Sequence, residues 1–137
     1  MPVATRVEKI RGMSPELAEK LKEHKIINSN QLLKAGCSVE GRKNLAKLIG
    51  TEPKALLEML NRADLDRING IGAVFADLLE QAGVDTVKEL SKRVPSHLHE
   101  MLITINFSKQ LTRHPPKLEQ VTAWVEQAKA LPPIIEY

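Results

Sequence analysis

Ile68-Asn69-Gly70-Ile71-Gly72-Ala73-Val74-Phe75-Ala76-Asp77-Leu78-Leu79 is the stretch that decides the fold. An apolar helix end runs into Gly-Ile-Gly, and a second helix starts at once, with the small Ala76 four positions past the second glycine. Two glycines permit a turn too tight for side chains. Ile71 is expected to pin the turn inward, and Ala76 to let the flanking helices approach closely. The first N–H groups of the second helix would then face solvent, where the helix dipole favours an anion such as a phosphate.

The pattern recurs. A shift of 58 positions lays Ile10-Arg11-Gly12-Met13-Ser14-Pro15-Glu16-Leu17-Ala18 on Ile68 through Ala76. Ile10 falls on Ile68, Gly12 on Gly70, Ala18 on Ala76, Leu21 on Leu79 and Leu32 on Leu90. Asn28 with Gln31 falls on Thr86 with Glu89, and both pairs have the spacing of a capping box ahead of a new helix. A turn, a close-contact alanine and a cap in one register mark two copies of a helical unit, each opening with a hairpin.

The rest of the chain supports an all-α reading. Val7 and Ile10 begin a short helix, and Ser14-Pro15 opens the next, through about Glu23, as N-cap and first helical residue. A helix from Ser29 to Ala35 is expected to close at Gly36. One over Arg42–Leu48, with Leu45 and Leu48 inward, is expected to stop at Gly50. Thr51 is placed as the cap of the helix carrying Leu56, Leu57 and Leu60, and Asp64 as the cap of a short helix entering the second hairpin. Helices follow at Ala73–Gln81, Val87–Lys92, His97–Ile105 and Lys117–Ala130, the last with Leu118, Val121, Val125 and Ala128 on one face. No stretch alternates with the period of a strand. Residues 1–137 are therefore expected to form a single all-α domain, two tandem hairpin units in one compact body. The units span 5–63 and 64–131, and a non-helical tail, 132–137, docks on the surface.

Composition limits the function. At 42% hydrophobic and 27% charged the chain is an ordinary globular sequence, with no apolar run near the roughly 20 residues of a membrane span and no signal-peptide pattern. The lone Cys37 cannot form an internal disulfide, which fits a reducing cytoplasm. Residues 1–64 carry 12 Lys and Arg against 8 Asp and Glu; residues 65–137 carry 8 against 9. Attraction for polyanions thus belongs to the first half. The aromatics Phe75, Phe107, Trp124 and Tyr137 are too few for a base-stacking platform.

These hairpins resemble the helix-hairpin-helix superfamily, whose members commonly grip duplex DNA by its phosphates without reading sequence. Over nearly its full length the chain resembles a narrower bacterial family, domain of unknown function 4332. Beside the hairpins, the matching landmarks are Ala35-Gly36-Cys37-Ser38-Val39-Glu40-Gly41-Arg42-Lys43, Asn61 through Ile68, Ala82 through Leu90, and Gln127-Ala128-Lys129-Ala130-Leu131-Pro132-Pro133. The resemblance implies a tandem helix-hairpin-helix fold and double-stranded DNA as partner. It places the phosphate contacts at Lys9, Arg11, Gly12 and Ser14 in the first hairpin and at Arg67, Gly70, Ile71, Gly72 and Ala73 in the second. The chain departs from the superfamily pattern twice. Ser14-Pro15 stands where the second glycine and its successor belong, and proline has no N–H. Ala73-Val74-Phe75 stands where DNA-binding relatives usually carry Lys or Arg.

Lys20, Lys22, Lys25, Arg42, Lys43 and Lys47 could extend a phosphate-tracking face, or be a solvated helix surface. The second reading is a protein-docking module facing an unidentified protein through Val74 and the tail residues Ile134 and Ile135. Catalysis is not expected. Asp85 lies 13 residues past Gly72, where DNA glycosylases of similar hairpin need about 20, and Asp85 and Thr86 are better read as helix caps. His97 and His99, two apart, diverge on a helix, so no metal site follows, and no cofactor is implied.

Overall fold

Ser14 turns the chain from extended backbone into helix by accepting a hydrogen bond from the Leu17 N–H, and Pro15 follows at the first helical position. That start gives α1, Pro15–Glu23. The computed structural model, which describes residues 4–137, continues with α2 Ser29–Gly36, α3 Val39–Ile49, α4 Pro53–Leu65, α5 Ala73–Gln81, α6 Val87–Ser91, α7 Pro95–Lys109 and α8 Leu118–Ala130. The short helix expected before α1 is a single 3-10 turn, Val7–Lys9. Among the described residues the regular structure is helical throughout, and the one β feature is an isolated bridge between Arg6 and Asn28. No described helix is long and apolar enough to cross a membrane.

Backbone contacts divide the chain into two units, Met1–Arg67 with Pro133–Tyr137, and Ile68–Pro132. The first unit thus runs past residue 63 to Arg67 and takes the tail with it. In the first unit α2 packs on α3 and α4, α3 on α4, and α1 on α3. In the second, α6 packs on α8, α7 on α8, and α5 on α7. Three of the pairs correspond element for element, α2–α4 with α6–α8, α3–α4 with α7–α8 and α1–α3 with α5–α7; the α2–α3 packing has no such counterpart among the described residues.

Buried positions correspond as well. Ile10, Ala18, Leu21, Ile26 and Leu32 are buried, and so are Ile68, Ala76, Leu79, Val84 and Leu90, each 58 positions later. Past α7 the offset becomes 65: Leu56, Met59, Leu60 and Ala63 on α4 match Val121, Trp124, Val125 and Ala128 on α8, all buried. The added seven residues lie in a longer α7 and the longer loop after it. There Asn106, buried, accepts from the Thr112 N–H and donates to the Thr112 carbonyl, both at 3.0 Å, satisfying backbone that no helix pairs.

Several local expectations need correction. Asp64 caps no separate helix; it lies inside α4, which runs on to Leu65 and leads directly into the second turn. Thr51 is not the cap of α4 either: Glu52 holds that position without a side-chain bond, and Pro53, lacking an N–H, starts the helix. Gly36 is the last residue of α2 rather than a left-handed stop, and its missing Cβ admits α4, since a Cβ there would stand 2.8 Å from Cδ1 of Leu60. Leu48 is 56% exposed and Leu118 also faces outward; Leu45, Ala46 and Ile49 fill the inner face of α3, and Val121 starts that of α8.

Candidate nucleic-acid interface

Each turn begins where an apolar residue, Ile10 or Ile68, has been buried and the chain must reverse before the next helix. Met13 N–H donates to the Ile10 carbonyl (3.0 Å) and Ile71 N–H to that of Ile68 (3.3 Å). Gly12 closes the first turn at φ +90 and Gly70 the second at φ +93, both in the region that side chains avoid. A Cβ at Gly12 would stand 3.5 Å from Cγ of Met59, and one at Gly70 3.1 Å from Nε1 of Trp124, so matching residues of α4 and α8 back the two turns.

The next landmark behaves otherwise. Ser14 (φ −90, ψ 158) and Gly72 (φ −94, ψ −172) share an extended conformation that any residue adopts, and a Cβ at Gly72 would meet nothing within 4 Å. Only the first glycine of Gly-Ile-Gly is required by the turn. This corrects the view that both serve its tightness, and it explains why Ser14 fits without distortion.

The two helix starts differ in their N-cap residues. In α1 the Ser14 hydroxyl takes up the Leu17 N–H at 3.1 Å, and Pro15 supplies none. In α5 the N-cap is Gly72, which has no side chain to offer, and Ala73 and Val74 are exposed after it. Ile71 contributes no donor of its own, because its N–H is spent on Ile68 and its side chain is buried. The second turn is clasped from α8. Gln127 accepts from the Asn69 N–H (2.9 Å) and donates to the Asn69 carbonyl (3.3 Å), while Phe75 and Trp124 lie 5.2 Å apart, ring centre to ring centre. Neither support was foreseen; Gln127 and Trp124 lie more than fifty residues beyond the turn and are visible in sequence only as members of a helix.

The basic residues differ in exposure and in what holds them. Lys9, Arg11, Lys25, Lys43 and Lys47 are exposed. Lys22 donates to Glu8 at 3.1 Å; that bond, after one from Glu8's own backbone N–H, holds the Glu8 carboxyl down at about 2. The Lys20 ammonium lies at the C-terminal end of α3, 3.3 Å from where a Cβ on Gly50 would stand. Arg67 is held by Asp64 at 2.7 Å, which removes it from the set open to a phosphate. Asp64 itself is buried, and that burial raises its pKa against the pull of Arg67.

Arg42 belongs to no basic face. It is 5% exposed, its Nη1 donating to the carbonyls of Gly36 (3.0 Å) and Cys37 (3.3 Å) and its Nη2 to that of Glu136 (2.6 Å). A buried guanidinium must have such acceptors, and the tail supplies one of them. Ile135 is likewise no docking residue: it is buried in the core of the first unit, with Ile134 half-buried beside it.

Val74 is 45% exposed. A second apolar surface went unnoticed in the sequence: α7 leaves Met101, Ile103 and Phe107 outward, Phe107 at 86%, beside an open groove of about 520 Å³ lined by His97, Glu100, Met101, Thr104 and Ile105. Apolar residues occur on all sides of α7, so periodicity gave no hint of which ones face out. Among the described residues no group of three His, Cys, Asp or Glu side chains is placed to hold a metal ion.

An all-helical chain with this pair of turns matches, over residues 11–131, the family described as a domain of unknown function (DUF4332). The chain belongs to that family. No curated protein and no solved structure matches it.

Proposed function

We propose that this chain is a non-catalytic protein of two tandem helix-hairpin-helix units that holds duplex DNA weakly through backbone phosphates, indifferent to sequence. The observation that supports it is the start of α5 at a glycine N-cap, Gly72, behind a turn fixed by Gly70 and clasped by Gln127. There the positive end of the helix dipole favours an anion, and the Cβ-less Gly72 leaves room for close approach. The exposed cations of the first unit, Lys9, Arg11, Lys25, Lys43 and Lys47, supply long-range attraction rather than grip. Contacts of this kind give dissociation constants of roughly 10⁻⁴ to 10⁻⁶ M.

One observation favours a second reading, protein docking: the exposed Val74 together with the outward face of α7 around Phe107. Two variants separate the readings. For a phosphate binder, Arg11→Glu lowers duplex affinity by weakening approach, and Val74→Glu lowers it by setting a negative charge beside the anion site. For a docking module, Val74→Glu abolishes capture of a partner and Arg11→Glu is nearly silent. Duplex binding that both variants leave unchanged, measured by fluorescence anisotropy, rejects the phosphate site.

A further inference from the structure

The tail is held to the first unit as a ligand is held in a groove. Its backbone is bonded on both sides at one residue: Glu136 N–H donates to the Cys37 carbonyl at 2.8 Å, and the Glu136 carbonyl accepts from Nη2 of the buried Arg42 at 2.6 Å. One residue earlier Ile135 enters the hydrophobic core of the unit, and one residue later the Tyr137 hydroxyl donates to Oδ1 of Asn61 at 2.7 Å. Main-chain hydrogen bonds for affinity, a pocket for one side chain and a polar contact for a neighbour are the parts with which proteins bind extended peptides.

The hold is also slight beside that of any helix. Pro133, Glu136 and Tyr137 are exposed, one side chain is buried, and the join to α8 is the extended Leu131 followed by Pro132 and Pro133. A segment with so few buried contacts opens more readily than the body it lies on. When it opens, Arg42 loses an acceptor in a buried position and the Ile135 pocket is empty, so the groove has a standing demand for another segment of the same kind. The nearest source of that sequence is another copy of the chain.

We propose that the groove formed by the α2–α3 junction, Arg42 and Asn61 is a binding site for an extended peptide, and that tails exchange between two copies of this chain, each filling the other's groove. Exchange of an identical element is a low-cost route to a dimer, because every contact made in the dimer already exists in the single chain. The proposal is independent of DNA binding.

The test uses the full-length chain and a fluorescent peptide of residues 132–137. In Ile135→Asp the chain's own tail no longer fills the pocket, so the peptide should bind that variant at least about tenfold more tightly than the wild type, where the tail competes from the same molecule. Adding Asn61→Ala should weaken the peptide, and a peptide with aspartate at 135 should not bind. Sedimentation at about 1 mM protein should show dimer in the wild type and none in Ile135→Asp. A folded Ile135→Asp chain that ignores the peptide overturns the groove; a dimer that persists in that variant overturns the exchange. Should Ile135→Asp fail to fold, Tyr137→Phe, which takes the Asn61 bond from the resident tail and leaves Asn61 for the added peptide, must bind the wild-type peptide more tightly than the wild-type chain does; equal binding also overturns the groove.

Discussion

Gly70 and Gly72 look alike in sequence and do different things. Gly70 stands at φ +93 with the Trp124 ring behind it, so a side chain there meets backbone strain and a wall together. Gly72 is extended and open. Gly70→Val should therefore cost about 2–4 kcal/mol and Gly72→Ala no more than about 0.5 kcal/mol, read from urea unfolding followed by Trp124 fluorescence. Equal losses would mean that the turn needs both glycines. The serine at position 14 already hinted at the difference, because it occupies the Gly72 register in the first turn. A letter pattern carries no φ, and so it could not say which glycine the turn needs. Lys25 makes the same point: it stands at φ +64, in the register where the second unit has Gly83 at φ +84, with the same hydrogen bonds behind it. Nothing in its neighbours marks a lysine as left-handed.

At the scale of the element, the end of α4 is where acidity and folding meet. Burial raises the pKa of Asp64 and of Asp66, the C-cap, against the favourable pulls of Arg67 on one and of Thr5 and Arg62 on the other. A raised pKa means that the folded chain holds the proton more tightly than the unfolded one. Stability contributed by these two groups is present in acid and falls as pH rises from the ordinary value of 3.8 through the raised one. Glu8 has the opposite sign. Its carboxyl is lowered from 4.5 to about 2, so its contribution is present above 4.5 and is lost as pH falls through that range. Asp66→Asn should flatten the decline of stability above pH 4 in urea titrations, and Glu8→Gln should flatten the rise below it. A decline untouched by Asp66→Asn would assign it to other groups. Some of the helices were legible from caps and periodicity: α5 runs over Ala73–Gln81 as expected, Asn28 forms with Gln31 the capping box its spacing implied, and Thr86 caps through the Glu89 N–H while the Glu89 carboxylate turns to Arg93. What could not be read was anything set by a distant partner. The carbonyl that takes Arg42 out of solvent comes from Glu136, 94 residues away, so a basic run on a predicted helix looked like a surface.

Across the whole molecule, the duplication reaches further than its sequence trace. The offset of 58 survives where turns, caps and small residues constrain identity. In the last helix it becomes 65, and there Met59 faces Gly12 while Trp124 faces Gly70. Methionine and tryptophan fill the same place by bulk alone, which leaves no common letter to align once the longer α7 and its loop have shifted the register. The functional account rests on the same two turns used unequally: a serine-capped turn among exposed cations in one unit, a turn with a glycine N-cap in the other. On the proposed reading few phosphates are contacted, so affinity is low from the outset and little salt is needed to abolish it. The most direct test is titration of a labelled random-sequence duplex with the full chain over a salt series. With about four phosphates contacted, log affinity should fall against log salt with a slope near −3.6, and binding should be lost by about 0.3 M. No binding even at about 0.05 M salt, or a complex that persists unchanged at 0.3 M, would contradict the account.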